Sequence, residues 1–383
     1  MDYYDIESEL TPDERAWRDR ARVFVDAEVL PEITAHHRAA TLPTDLMRRL
    51  GEEQLYAPYL HGHGCAGQSH TAYGLIMAEL ERADSAVRSC ASVQGALAMH
   101  AIHAFGSEAQ RARWLPRLAR GEAVGAFALT EPGHGSDPSG METHATPDGG
   151  TLVLEGEKFW VTNGPHADVI VVWAKGPDGK VAGYLVERDA PGLTVSHIEG
   201  KFSLRVSASG ALHMDRCRIP ADNQLPGARG LRAPLSCLSQ ARLGIAWGVT
   251  GAAADCLHAA LAHAQAREQF GRPLAGFQLV QEKLADMLTA LTTAQLLALR
   301  LTRLREAERA TPAQVSLAKR HNVAAALETA RTARAVLGGV GVTDRFPVMR
   351  HLMNLETVYT YEGTHDIHTL IVGQDLTGHA AFT

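Results

Sequence analysis

With 383 residues the chain is too long for one hydrophobic core, so two or three domains are expected. Its 45% hydrophobic and 21% charged content is that of an ordinary soluble globular protein. A formal net charge of −6 argues against nucleic acid as the main partner, because phosphate binding needs a basic surface.

Five cysteines (Cys65, Cys90, Cys217, Cys237, Cys256) are scattered and lack CxxC spacing, which fits a reducing compartment and gives neither a disulfide framework nor a zinc site. The acidic stretch Met1 to Glu9 has no apolar signal core, and no uninterrupted apolar run reaches membrane length. A cytoplasmic location without membrane insertion is therefore expected.

From Thr11 to about Gly121 the pattern is helical. Thr11-Pro12-Asp13-Glu14 reads as an N-cap with proline at the first helical position, and Ser107 to Gln110 as a capping box. Thr71 to Ala83 carries apolar residues at helical spacing. From about Val124 to Pro220 short β-rich runs take over: Thr151 to Leu154, Val169 to Ala174, Gly183 to Val186 and Leu193 to Val195. The turn signals Asp148-Gly149 and Asp178-Gly179 lie between them, and an antiparallel β domain is expected. Beyond Leu235 the chain is helical again, over Ala241 to Glu268, Gln278 to Arg305 and Pro312 to Val336. Helices this long normally pack as a bundle, often with equivalents from another subunit.

Generic motifs are absent: there is no GxxxxGK[ST], HExxH or GxSxG. Gly338-Gly339-Val340-Gly341 follows a helix rather than a strand and reads as a helix stop. The nineteen histidines, His36, His37, His61 and His63 among them, lack partners at ligand spacing, so no metal site is expected.

Four ordered stretches are specific: Phe127-Ala-Leu-Thr-Glu-Pro-Gly-His-Gly-Ser-Asp137, Phe159-Trp-Val-Thr-Asn163, Arg267-Glu-Gln-Phe-Gly-Arg-Pro-Leu274 and Tyr361-Glu-Gly-Thr-His-Asp366. Together they resemble the acyl-CoA dehydrogenase family from about Leu42 to Phe382. Three segments look like its glutaryl-CoA dehydrogenase branch: Glu79 to Ser89, Lys201 to Gly210 and Tyr361 to His368. The resemblance implies a mostly α fold with a central antiparallel β domain. Its divisions would be an N-terminal helical domain (1–123), a middle domain (124–232) and a C-terminal four-helix bundle (233–383), usually assembled as a homotetramer.

It also implies an FAD-dependent oxidoreductase in which Glu362 is the base removing the proton α to an acyl-CoA thioester. A positioned carboxylate with polarisation of the carbonyl lowers the cost of the enolate. By the same resemblance Phe127, Leu129, Thr130, Gly135, Ser136, Trp160, Thr162, Phe270, Gln278, Leu337, Gly338, Gly339, Thr364 and Asp366 contact FAD. Arg267 would hold the FAD pyrophosphate of a neighbouring subunit, a charge-assisted role suited to a guanidinium.

Arg88 matches the residue that meets the distal carboxylate of a dicarboxylic acyl group, with Ser89 beside it and Glu81 nearby. A structural ion pair of Arg88 with Glu79 or Asp84 is the alternative. Ser136, Arg242, Tyr361 and Gly363 would also line the substrate. Oxidative decarboxylation of glutaryl-CoA to crotonyl-CoA, with an electron-transfer flavoprotein as acceptor, is the implied reaction. Val340 and Val87 depart from the glutaryl pattern, where Asn and aromatic residues are common. A paralogous oxidase, oxygenase or non-decarboxylating dehydrogenase stays open, as does a non-catalytic binding member of the fold.

Overall fold

The computed structural model describes residues 2–43 and 45–381; Met1 and Phe382, named above, lie outside the described residues. Local signals at the N-terminus fold as they read. Thr11 accepts a bond from the Glu14 amide while the Glu14 carboxylate accepts one from the Thr11 amide, capping α1 (Pro12–Phe24). It is followed by α2 (Leu30–Ala39), α3 (Leu46–Glu52), α4 (His70–Ala83) and α5 (Ser85–Ser92). A fully buried π-helical stretch, Val93–Met99, joins α5 to α6 (His100–Phe105). Ser107 and Gln110 form the second capping box, at the start of α7 (Glu108–Ala119).

The sheet has seven strands: β1 (Gly125–Ala128), β2 (His144–Asp148), β3 (Thr151–Thr162), β4 (Val169–Lys175), β5 (Val181–Glu187), β6 (Leu193–His197) and β7 (Ser209–Pro220). Their order is β1-β4-β2-β3-β7-β6, with β5 on the other side of β4. Four pairings are antiparallel, but β1 runs parallel to β4, as does the single β2–β4 pairing. This departs from a wholly antiparallel domain. A parallel neighbour needs a long crossover, and residues 129–168 supply it. The turn between β2 and β3 uses Gly149 and Gly150, both at positive φ, as a two-residue hairpin requires.

The C-terminal part is α8 (Arg232–Ala266), α9 (Gln278–Glu306), α10 (Pro312–Leu337), α11 (Val348–Thr360) and α12 (His365–Thr377). Gly338, at φ +62, ends α10. Helices α8 and α9 are long and apolar enough to cross a membrane by length and composition alone. In α8, however, 67% of the most apolar window is buried inside the protein, against 33% in α9. A core helix passes the same test, and α8 is one.

Three apolar clusters hold these parts: one through the N-terminal helices, the near face of the sheet and α8, one inside the C-terminal bundle, and one on the other sheet face. The close crossing of α4 and α8 rests on a stripe of small residues. A Cβ on Gly244 would lie 2.4 Å from the Tyr73 hydroxyl, one on Gly248 2.2 Å from a Glu81 carboxylate oxygen, and one on Gly251 1.9 Å from the Ala78 carbonyl. This crossing brings the polar residues of α4 and α5 against the middle of α8.

Candidate active site

Glu362 sits in the short turn between α11 and α12, with φ +51, followed by Gly363 at φ +92. A side chain at Gly363 would be strained by that φ and would come 2.8 Å from His368 Nε2. The carbonyls of this turn are held by buried cations. Arg242 Nε donates to the Glu362 carbonyl at 2.7 Å, and Lys319 Nζ donates to those of Tyr361 and Gly363 at 2.9 and 2.8 Å. Among the described residues, Glu362 Oε2 is buried with no hydrogen-bond partner. Burial raises the Glu362 carboxyl above the ordinary value, against the lowering effect of Arg88, Arg242 and Lys319. A carboxylate with a spare, desolvated oxygen is suited to taking a proton.

Beside it lies a fully buried ion pair. Arg88 Nε donates to Glu81 at 2.6 Å, both side chains have zero exposure, and a second guanidinium nitrogen donates to the Tyr361 hydroxyl. The Arg88 guanidinium also lies over the Tyr361 ring, 5.6 Å from its centre. Burial lowers the Arg88 pKa, but Glu81 and Tyr361 outweigh it and keep the group charged. The alternative pairing of Arg88 with Glu79 or Asp84 is not what the fold makes: Glu79 is taken by Arg22 and Arg82 at 2.7 and 2.8 Å, and Asp84 by Arg350 at 3.2 Å. Arg88 Nη1 and Glu81 Oε1 remain buried and unpartnered among the described residues. Ser89 is buried next to them. The chain thus brings Glu81, Arg88, Ser89, Arg242, Tyr361, Glu362 and Gly363 together, with Thr364 capping α12 alongside.

A second group forms around β3. A bulge between Lys158 and Val161 sets Trp160 at φ +60 and turns its ring outward, 57% exposed. The Phe159 amide donates to the Thr130 carbonyl at 2.8 Å, tying this bulge to the loop that carries Gly135 and Ser136. Thr130 and Thr162 are half-buried, whereas Gly135 and Ser136 are exposed. Lys158 anchors the loop from below, donating to the Leu129 carbonyl at 2.9 Å and to Glu131 at 2.8 Å. Burial lowers Lys158 to about 8. Burial also opposes ionisation of Glu131, yet the Glu142 amide, Lys158 and Thr143 win and lower it to about 2. The rings of Phe127 and the side chain of Leu337 are spent on the core, Phe127 against Trp173 at 5.7 Å, so neither side chain is offered to a ligand.

Arg267, Phe270 and Gln278 lie elsewhere. Arg267 is 25 positions beyond Arg242, about 37 Å away along the α8 axis direction at 1.5 Å per residue. All three are exposed, with Phe270 93% exposed in the connector to α9. His263 links this end to the turn after α10, its ring 5.7 Å from Phe346, and Gly338 and Gly339 are exposed there. Asp366 is exposed on α12.

Family models cover most of the chain: acyl-CoA dehydrogenase N-terminal domain over residues 11–122, middle domain over 126–217 and C-terminal domain over 228–377. The chain belongs to the acyl-CoA dehydrogenase family. A crystal structure of glutaryl-CoA dehydrogenase from Mycobacterium smegmatis is similar at 51% identity and a TM-score of 0.97, covering 99% of this chain and 98% of that one. A glutaryl-CoA dehydrogenase from the same organism in complex with FADH2 is similar at 47% identity and a TM-score of 0.98, with the same coverage. The mouse mitochondrial short-chain specific acyl-CoA dehydrogenase is 33% identical over 96% of this chain and 91% of its own length.

Acyl-CoA dehydrogenases are FAD enzymes, and the residues here fit that cofactor. A large aromatic ring is presented outward on a backbone bulge, beside half-buried threonines, and a buried carboxylate oxygen has no partner. The sequence reading missed Lys158, Lys319, Tyr73 and His368. The one signal for Lys319 is its place on the stripe Val315, Ala318, Asn322, Val323 of α10, uncharged and mostly apolar, where a charge is out of pattern.

Proposed function

We propose that this enzyme oxidises glutaryl-CoA between its α and β carbons and decarboxylates the product to crotonyl-CoA. The observation that carries the reading is that Arg88, buried with an unpartnered Nη1, donates to the hydroxyl of Tyr361, the residue before Glu362, whose Oε2 is itself buried and unpartnered among the described residues. A carboxylate leaving water needs a paired, hydrogen-bonded partner, and Arg88 Nη1 offers it. Fatty acyl chains give that nitrogen nothing to bind.

In this reading Glu362 takes the α-proton at its carboxylate, and its own amide helps hold the thioester oxygen. FAD supplies the hydride acceptor when bound. Lys319, by gripping the Tyr361 carbonyl, fixes the peptide plane that carries the Glu362 amide, and Arg242 holds the next plane through the Glu362 carbonyl. Arg88, still paired with Glu81, orients the distal carboxylate. The bond to that carboxylate then breaks, carbon dioxide leaves, and its electron pair moves into the conjugated thioester before reprotonation. Trp160, Thr162 and the loop 127–136 would border the flavin ring. Arg267, Phe270, Gln278, Gly338 and Gly339 would meet the dinucleotide of a neighbouring copy. The enzyme would work as a cytoplasmic homotetramer of three-domain subunits (1–123, 124–232, 233–383) and pass electrons to an electron-transfer flavoprotein.

The test is anaerobic bleaching of the bound flavin by a panel of acyl-CoA thioesters, with product masses recorded. Rapid bleaching by glutaryl-CoA with crotonyl-CoA as product is expected. Bleaching by monocarboxylic thioesters alone, or glutaconyl-CoA as the end product, would overturn it. Oxygen uptake exceeding turnover with an artificial acceptor would favour an oxidase.

A further inference from the structure

Lys319 is 1% exposed, and among the described residues it has no carboxylate within ion-pair distance. A lysine so buried is costly unless its ammonium is satisfied, and both of its protein bonds go to one turn. The carbonyls of Tyr361 and Gly363, on either side of Glu362, accept from Nζ at 2.9 and 2.8 Å. With Arg242 on the Glu362 carbonyl at 2.7 Å, three successive carbonyls of a left-handed turn are pinned by two cations from different helices.

We propose that Lys319 is a positioning residue, a two-pronged clamp that holds Glu362 in its left-handed conformation and keeps the carboxylate aimed at the substrate α-carbon. The inference rests on Glu362 as the base. No other hydrogen bond of the Lys319 side chain competes for this task. Without it, a non-glycine residue at φ +51 would relax toward ordinary backbone, and the carboxylate would move with it. The clamp also acts through charge. Around the carboxylate stand Arg88 from α5, Arg242 from α8 and Lys319 from α10, with Tyr73 and the Arg88-paired Glu81 of α4, Tyr361, and His365 and the neutral His368 of α12 nearby. Burial lowers Lys319 to about 7, and the Glu362 carboxylate opposes that shift, which places the two charges in mutual reach.

The test uses the full-length, FAD-loaded protein and its Lys319→Met and Lys319→Gln variants. Anaerobic flavin reduction by saturating glutaryl-CoA is followed across pH, with Glu362→Gln as control. Lys319→Met should keep its flavin and bind substrate within a few-fold of the parent. Its reduction rate should fall roughly 100-fold, the order expected when a catalytic group is misplaced by about 1 Å. Its acidic limb should move up by about one pH unit as one facing cation is lost. Lys319→Gln, which keeps two N–H donors without the charge, should recover part of the rate but not the position of the limb. If Lys319→Met fails to hold flavin, the glutamine variant decides. An unmoved acidic limb there, or a loss confined to KM, overturns the clamp. A parent-like rate in Glu362→Gln overturns the base assignment itself, whatever the lysine variants do.

Discussion

Arg88 is a hard residue to test alone, because the structure makes it half of a pair. Its partner Glu81 has zero exposure and sits 2.6 Å away, so Arg88→Met leaves a buried carboxylate with its ion pair gone. Breaking such a pair costs about 3–5 kcal/mol, whereas replacing both members by neutral groups of similar size is often nearly neutral. At an unfolding entropy of ~2.1 cal/mol/K per residue, a chain of 383 residues has about 0.8 kcal/mol/K, so the single variant should lose roughly 4–6 °C in Tm.

Glu81→Gln/Arg88→Met should stay within about 2 °C of the parent, and it isolates the functional question. Hydrogen bonds to a charged group contribute about 1.5–3 kcal/mol, so kcat/KM for glutaryl-CoA should fall on the order of 10–150-fold. Butyryl-CoA, lacking the second carboxylate, should change by no more than a few-fold. The assays are thermal unfolding by flavin release and steady-state turnover with an artificial acceptor. Equal losses for both thioesters in the stable double variant would refute the substrate role and leave Arg88 a structural cation.

Glu362→Gln should stay yellow yet not be bleached by substrate; in the parent the rate should rise with pH along a limb set above the ordinary glutamate range, since burial favours the protonated, inactive form. A limb at or below that range would contradict the desolvated geometry. Glu131 ionises near 2, so its stabilisation is present above the unfolded value near 4.5 and is lost as pH falls towards 2. The difference in urea midpoint between parent and Glu131→Gln should accordingly shrink below about pH 4.5; a pH-independent difference would count against it. Arg267→Ala should release FAD at least about 10-fold faster if its guanidinium binds a phosphate across a subunit contact, and unchanged retention on gel filtration would remove that role.

Local chemistry was legible in the chain before any fold was known. Thr11, Ser107 and Pro312 mark helix starts through contacts within one turn, and all three helices begin there. The motif around Glu362 and the one around Trp160 likewise name candidate residues. Other elements were not legible in this way. Helix α8 starts at Arg232, nine positions before the apolar pattern was read, with Pro234 tolerated in its first turn. Strands β1, β2 and β7 were missed, and β3 runs on to Thr162, because strand identity depends on a partner distant in sequence.

What the sequence determined by itself is therefore the set of turns, caps and chemical groups, since each depends on neighbours a few bonds away. The tertiary structure alone decided that Arg88 pairs with Glu81 rather than Glu79 or Asp84, and that Lys319 reaches the turn carrying Glu362. Of those contacts, the first chooses among rivals similarly near in sequence, and the second joins residues 42 and 44 positions apart. They are selected by the space the glycines of α8 leave open and by the cost of burying any charge without a partner.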